Sequence, residues 1–173
     1  MQTLILGGAR SGKSRHAEQL ALASGRKVIY IATAQALDEE MQARIAQHQN
    51  ERPAHWHTVE TPLALAATLR EHDAADTCLL VDCLTLWLSN LLLHPAPCLL
   101  ERECTALLHT LPTLQARLLL VANEVGLGIV PDNALARRFR DEAGQLNQGI
   151  AAQVEQVFFL AAGLPLTLKE PHA

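Results

Sequence analysis

Aromatic side chains are scarce. Two Trp, one Tyr and three Phe make up 3% of 173 residues, so a core has to be built from Leu, Ile, Val and Ala. Cysteine is also sparse: Cys78, Cys83, Cys98 and Cys104 never stand as Cys-x-x-Cys, which argues against a zinc site. They read as reduced, small apolar residues. Positive charge is not in excess. The formal net charge is −4, which leaves no electrostatic footprint for nucleic acid or an anionic membrane. No apolar run reaches the roughly 20 residues of a membrane span; the longest, Leu84–Leu93, is interrupted by Thr85, Ser89 and Asn90. The opening residues read as a strand and not as a signal peptide, so the expected location is cytoplasmic. Internal repeats, low-complexity tracts and long linkers are absent, and the expected organisation is one domain over residues 1–173. Hydrophobic residues are 49% of the chain, enough for a packed core without disulfides or metals.

The chain carries one motif with a strong physical meaning. Gly7-Gly8-Ala9-Arg10-Ser11-Gly12-Lys13-Ser14 fits G-x-x-x-x-G-K-[ST], the phosphate-binding loop. The apolar run Thr3–Leu6 precedes it and a stretch of helix formers, Arg15–Ala23, follows. Strand, loop and helix is the order that the motif requires. Gly7 and Gly12 are expected to adopt backbone angles closed to other residues, turning N–H groups toward phosphate oxygens at a helix N-terminus. Lys13 is expected to reach the β- and γ-phosphates, and the Ser14 hydroxyl to ligate Mg²⁺. The loop specifies a nucleoside triphosphate, not a reaction.

Further elements follow from periodicity. Strands are expected at Val28–Ala32, His55–Glu60, Cys78–Asp82, Leu118–Ala122, Val157–Leu160 and Leu166–Leu168, the last two as a terminal hairpin around Gly163-Leu164-Pro165. Helices are expected from Leu37 to Asn50, from Pro62 to Glu71, over Leu84–Leu93, from Leu99 to Gln115 with a break at Leu111-Pro112, and from Asp132 to Val154. Cys78–Asp82 is an apolar strand ending in an acid, the Walker B pattern, and Asp82 is the expected second Mg²⁺ ligand. Strand–helix alternation predicts an α/β fold of the P-loop NTPase, RecA-like type: a mostly parallel sheet with helices on both faces and a C-terminal hairpin. Ligands of such sheets sit at the strands' C-terminal ends, where the phosphate loop, Ala32-Thr33-Ala34, Asp82 and Asn123-Glu124 fall. Asp82 is followed by Cys83-Leu84-Thr85 and no Asn-Lys-x-Asp occurs, so a Ras-like GTPase is set aside. A small phosphotransferase or nucleotidyltransferase remains.

The residues resemble a known family. Gly7 through Glu18 looks like the start of the bifunctional adenosylcobinamide kinase / adenosylcobinamide-phosphate guanylyltransferases of cobalamin biosynthesis. The resemblance continues through Tyr30–Ala34, Glu40–Ile45, Arg52–Trp56 and Asn90–Leu92, and through the more specific Asn123-Glu124-Val125-Gly126-Leu127-Gly128-Ile129-Val130-Pro131. It runs on through Arg138–Asp141, Ala143-Gly144 and Leu146–Gln148, covering nearly the whole chain. It implies two reactions: phosphorylation of adenosylcobinamide with ATP or GTP, then transfer of GMP from GTP to that phosphate, releasing pyrophosphate. It also implies a covalent guanylyl-histidine, and the matching position is His48. Neutral imidazole is a competent nucleophile near pH 7. The residue before the nucleophile is often His in this family and is Gln47 here. By the same resemblance Ala32, Thr33, Ala34, Gln49, Asn50, Glu51, Arg52, Glu60 and Asp82 fall where the family binds GTP. The implied partners are a corrinoid substrate and a nucleotide, and the implied assembly is a homotrimer, with the apolar helix Leu84–Leu93 as part of the interface.

From the residues alone, His16 competes with His48 as nucleophile, and His55 and His57 share one face of their expected strand. The run Arg137, Arg138, Arg140 reads as a solvated helix face. Two other functions stay open here: a plain small-molecule kinase without covalent catalysis, and a regulatory module that only senses GTP.

Overall fold

The computed structural model describes residues 1–35, 42 and 53–171. The expected helix Leu37–Asn50, His48, Gln49, Asn50, Glu51 and Arg52 lie outside the described residues. The chain runs β1 (Gln2–Gly7), α1 (Lys13–Ala23), β2 (Lys27–Ala32), β3 (His57–Glu60), α2 (Leu65–Glu71), β4 (Thr77–Asp82) and α3 (Leu84–Leu93). It continues through α4 (Leu99–Thr110), a 3₁₀ turn (Leu111–Thr113), β5 (Arg117–Asn123), α5 (Ala134–Gln153), β6 (Gln156–Ala161) and β7 (Leu164–Lys169).

All seven strands join one sheet in the order β3-β2-β4-β5-β1-β6-β7. Every pair is parallel except β6–β7. Alternate strand residues point to opposite faces, and two cores result. Leu4, Leu6, Leu79, Val81, Leu118 and Leu120 pack under α2, α3, α4 and α5. Ile5, Val28, Tyr30, Leu80, Leu119 and Val121 pack under Ala17 and Ala21 of α1. Both faces are covered, as the alternation of elements predicts. Central strands buried on both faces explain why their sequences are continuous apolar runs and not alternating ones.

Several boundaries differ from the sequence expectation, each for a local reason. β3 starts at His57 and not His55, so the two histidines do not share a strand face; His57 instead lies edge-on to His72, 6.3 Å between ring centres. Pro62 does not open α2, which starts at Leu65. The carbonyls of Pro62 and Leu63 are held by α3: Asn90 Nδ2 donates to Pro62 O (3.1 Å) and Trp87 Nε1 to Leu63 O (2.7 Å). α4 stops at Thr110, where Pro112 forces a 3₁₀ turn. α5 starts at Ala134 because the Asn133 side chain caps it, accepting from Ala136 N at 3.0 Å. The hairpin turn is Ala162-Gly163, both with positive φ (52° and 78°), and Leu164 and Pro165 already belong to β7. A two-residue turn of that geometry matches the strand twist.

The apolar helix α3 is a core helix. Leu84, Trp87, Leu88 and Leu91 are at most 2% exposed within this one chain. The subunit interface expected from its composition is therefore not needed to explain its leucines; Leu93 is its exposed one. Exposed leucines occur instead on the edge strand β7, at Leu164, Leu166 and Leu168.

Candidate active site

The phosphate loop leaves β1 and turns into α1 at the C-terminal edge of the sheet. Gly12 has φ 92°, the left-handed conformation the motif needs, and caps α1. Arg10 is also left-handed, at φ 55°, and lies exposed. Gly7 is required for a different reason than expected. A Cβ there would stand 2.5 Å from Ser11 Oγ and 2.7 Å from the Leu160 carbonyl. It is a close approach, not a backbone angle, that excludes a side chain. Ala9 is exposed, and a Cβ on Gly8 would meet open space. Lys13 Nζ donates to Gly8 O at 3.2 Å, folded across the mouth of its own loop.

The hairpin tip is a neighbour that local sequence signals do not reveal. Gly163 N donates to Ser11 O at 2.9 Å, and a Cβ on Gly12 would lie 3.1 Å from Gly163 Cα. The β6–β7 turn thus braces the phosphate loop from the side. Ser11 Oγ is buried with no hydrogen-bond partner, an orphan polar atom in the wall of the loop.

The order of the strands spreads the other candidates along the edge. β5 separates β1 from β4, so Asp82 lies two strands from the loop. Asp82 closes a strand whose other residues are buried, and is itself half-buried. Glu60 ends β3, four strands from β1, and is exposed. Thr33 is fully buried and its hydroxyl is engaged: it donates to Cys83 O (2.7 Å) and accepts from Cys83 N (2.9 Å). Asn90 Nδ2 donates to Thr33 O at 2.8 Å. Thr33 therefore ties the exit of β2 to the exit of β4, a structural role the resemblance did not suggest. Ala32 and Ala34, half-buried, flank it.

Between loop and acid stand Asn123 and Glu124. Asn123 pairs in register with Gly7, and its backbone N–H donates to Thr85 Oγ1 at 2.7 Å. Its side-chain oxygen is buried without a partner. Glu124 N donates to Gly7 O at 3.0 Å, and its carboxylate accepts from Gly126 N.

His16, one turn into α1, packs its ring edge-on against Phe158 (5.1 Å between centres), with Nε2 buried and unpartnered. Burial pushes its pKa below the ordinary value. His16 thus packs against Phe158 with Nε2 buried, which disfavours it as the nucleophile through that atom. Arg137 donates to the carbonyls of Pro131 and Asp132, Arg138 lies 3.7 Å from Glu142, and Arg140 pairs with Asp141 at 2.9 Å. That run is engaged locally, in agreement with a solvated helix face.

Among the described residues no cluster of three His, Cys, Asp or Glu could hold a metal by protein ligands alone. Ser14 and Asp82 offer hard oxygen donors, and among the described residues neither side chain has a hydrogen-bond partner. That set suits Mg²⁺, which keeps several waters and shares its shell with phosphates. The Cys83 thiol beside Asp82 is pushed up to about 11, first by burial and then by the Asp82 charge, so it stays neutral there.

Residues 3–168 match the model of the family described as cobinamide kinase / cobinamide phosphate guanyltransferase. The chain is 62% identical over 169 residues to the bifunctional adenosylcobalamin biosynthesis protein CobP of Pseudomonas aeruginosa, covering 98% of both. It is 42% identical over 182 residues to the protein CobU of Salmonella typhimurium, covering 98% of this chain and all of that one. Among solved structures, the flagellar accessory protein FlaH of Methanocaldococcus jannaschii superposes with TM-score 0.55 at 14% identity, over 98% of this chain and 78% of that one. The RadB recombinase gives 0.51 at 14%, over 91% and 73%. These two share the fold. The chain belongs to the cobinamide kinase / cobinamide phosphate guanyltransferase family.

Proposed function

We propose that this family member runs both reactions of its family on one edge of one sheet. It phosphorylates the aminopropanol hydroxyl of adenosylcobinamide with a nucleoside triphosphate. It then moves GMP from GTP onto that phosphate, giving adenosylcobinamide-GDP and pyrophosphate. The observation that carries this reading is the match over residues 3–168, which spans the phosphate loop, the Walker B strand and the stretch holding His48.

The chain's residues take the following parts. The loop Gly7–Ser14 and the N-terminus of α1 hold the triphosphate, with Lys13 on the β- and γ-phosphates. Ser14 and Asp82 hold Mg²⁺, which when bound neutralises charge on the leaving phosphates. In the second reaction an imidazole nitrogen of His48 attacks the α-phosphorus of GTP. The bond from α-phosphorus to the bridging oxygen breaks, and pyrophosphate leaves. An oxygen of adenosylcobinamide phosphate then attacks the same phosphorus, the phosphorus–nitrogen bond breaks, and neutral His48 is restored. Two easier displacements replace one difficult one. Ala32, Thr33, Ala34, Gln49, Asn50, Glu51, Arg52 and Glu60 surround the GTP. Thr33, buried with its hydroxyl committed to Cys83 and its carbonyl to Asn90, contributes by holding the strand ends in place. One domain over residues 1–173 carries both steps, as a homotrimer in the cytoplasm. Among the described residues no helix is long and apolar enough to cross a membrane.

The test is product analysis. With adenosylcobinamide, ATP, GTP and Mg²⁺, mass spectrometry is expected to find the phosphate ester first and the GDP ester later. Phosphate ester alone, even with excess GTP, would reduce the protein to a kinase. Neither product, with GTP still bound, would favour the sensing module.

A further inference from the structure

Phosphorylating a hydroxyl requires a group to take its proton. Three described carboxylates stand at the C-terminal edge of the sheet: Glu60, Asp82 and Glu124. Neighbouring strands lie about 4.8 Å apart. Glu60 is four strands from β1, roughly 19 Å away by that spacing. Asp82 is two strands away and has the Mg²⁺ role above. Glu124 follows β5, the strand directly beside β1, about 5 Å away.

Two backbone contacts fix Glu124. Its own N–H is bonded to the carbonyl of Gly7, where the phosphate loop begins, at 3.0 Å. Its carboxylate accepts from Gly126 N, and a Cβ on Gly126 would come within 2.9 Å of the same oxygen. One carboxylate oxygen is held by the backbone; among the described residues the other has no hydrogen-bond partner. The side chain also lines a groove of about 340 Å³ between α5 and the β6–β7 hairpin. Leu6, the residue before the loop, Asn147, Ala151 and Leu168 share its walls. Leu127, Ile129 and Val130, in the segment that follows Glu124, are exposed, as is Leu166 of β7. An open, largely apolar groove that starts at Leu6 and Glu124, next to the first residue of the phosphate loop, suits a bulky acceptor with a short hydroxyl-bearing arm.

We propose that Glu124 is the general base of the kinase step and that this groove admits the acceptor's arm. The assignment rests on the function proposed above. The acceptor oxygen attacks the γ-phosphorus while its proton passes to the free oxygen of Glu124. The bond between γ-phosphorus and the β–γ bridging oxygen breaks, and the nucleoside diphosphate leaves; Glu124 then returns the proton to solvent. The histidine-mediated guanylyl transfer needs no such base, because its acceptor is already an ionised phosphate. The geometry therefore assigns Glu124 to one of the two reactions.

The test measures both reactions in one preparation. Kinase rate is read with γ-labelled ATP and adenosylcobinamide. Guanylyl transfer is read with α-labelled GTP and preformed adenosylcobinamide phosphate. In Glu124→Gln, which keeps an acceptor for Gly126 N, the ratio of kinase to guanylyl-transfer rate is expected to fall on the order of 100-fold. Glu124→Asp retains the acid but withdraws it by one methylene; its ratio is expected to fall less. It is the deciding variant if the Gln form does not fold. An unchanged ratio in the folded variant would overturn the base assignment, since a merely structural residue would slow both reactions together. Wild type lacking both products would instead overturn the proposed function.

Discussion

At the scale of single residues, the site is set by close approaches. Gly7 is the sharpest case. Adding a methyl there meets Ser11 Oγ and a strand carbonyl of Leu160, and a backbone carbonyl cannot rotate away. Gly7→Ala is expected to destabilise the fold by about 1–3 kcal/mol, the usual range for overpacking. It should also weaken GTP binding by moving the loop. Thermal melts with and without GTP would show both, and an unchanged melting temperature would contradict the contact. The cysteines give a second prediction. Cys98 is exposed, whereas burial raises the Cys78 thiol and pushes Cys83 and Cys104 to about 11. A thiol with a pKa near 11 is roughly one part in 1,000 thiolate at pH 8, and the thiolate is the reactive form. Iodoacetamide at pH 8 should therefore modify Cys98 first. Cys83 and Cys104 should lag, their labelling rising only as the pH approaches 11. Peptide mass spectrometry reads the order directly.

At the scale of elements, the clamp between β2, β4 and α3 is what holds the edge in register. Thr33 satisfies both backbone groups of Cys83, and Asn90 bridges Thr33 O and Pro62 O. Thr33→Val keeps the volume but removes the hydroxyl, leaving the buried Cys83 N–H without a partner, while the Cys83 carbonyl keeps its bond from Trp87 N. The expected loss is about 1–3 kcal/mol, seen as a lower denaturant midpoint with unchanged slope. An unaltered midpoint would mean that the clamp is decorative. Elements were also where local sequence signals served best and failed most instructively. β1 with its loop, β4 with its terminal acid and α3 were legible, since apolar runs and the Gly-Lys-Ser motif act within a few residues. The start of α2 was not, because Pro62 and Leu63 give their carbonyls to Asn90 and Trp87 some 24 to 28 residues away. The brace of Gly163 on Ser11, and the approach of the Leu160 carbonyl to Gly7, were hidden for the same cause: both are contacts across about 150 positions of chain.

At the scale of the whole molecule, strand order makes the chemistry coherent. Inserting β5 between the loop strand and the Walker B strand places Asn123 and Glu124 between Lys13 and Asp82. Strand alternation predicted a parallel sheet, yet not this order, which is fixed by non-local pairing. The placement of exposed apolar surface was equally invisible. Composition singled out α3, but that helix is buried in its own chain, while Leu164, Leu166 and Leu168 on β7 stand 57–72% exposed. If three chains associate, β7 is one place where contact would remove apolar surface from water, beside the exposed Leu127, Ile129 and Val130. Light scattering is expected to give the mass of three 18.9-kDa chains, and Leu166→Glu to shift it toward one. A monomeric wild type would dismiss the trimer.

The claim on which the account turns is covalent transfer through His48. Purified protein is mixed with Mg²⁺ and GTP labelled at the α-phosphorus, quenched in denaturant, and counted for label retained on the chain. Acid-labile, base-stable label is expected on wild type, none from γ-labelled GTP, and none on His48→Ala. Wild type that binds GTP yet retains no α-label, or His48→Ala that labels as well as wild type, would contradict it.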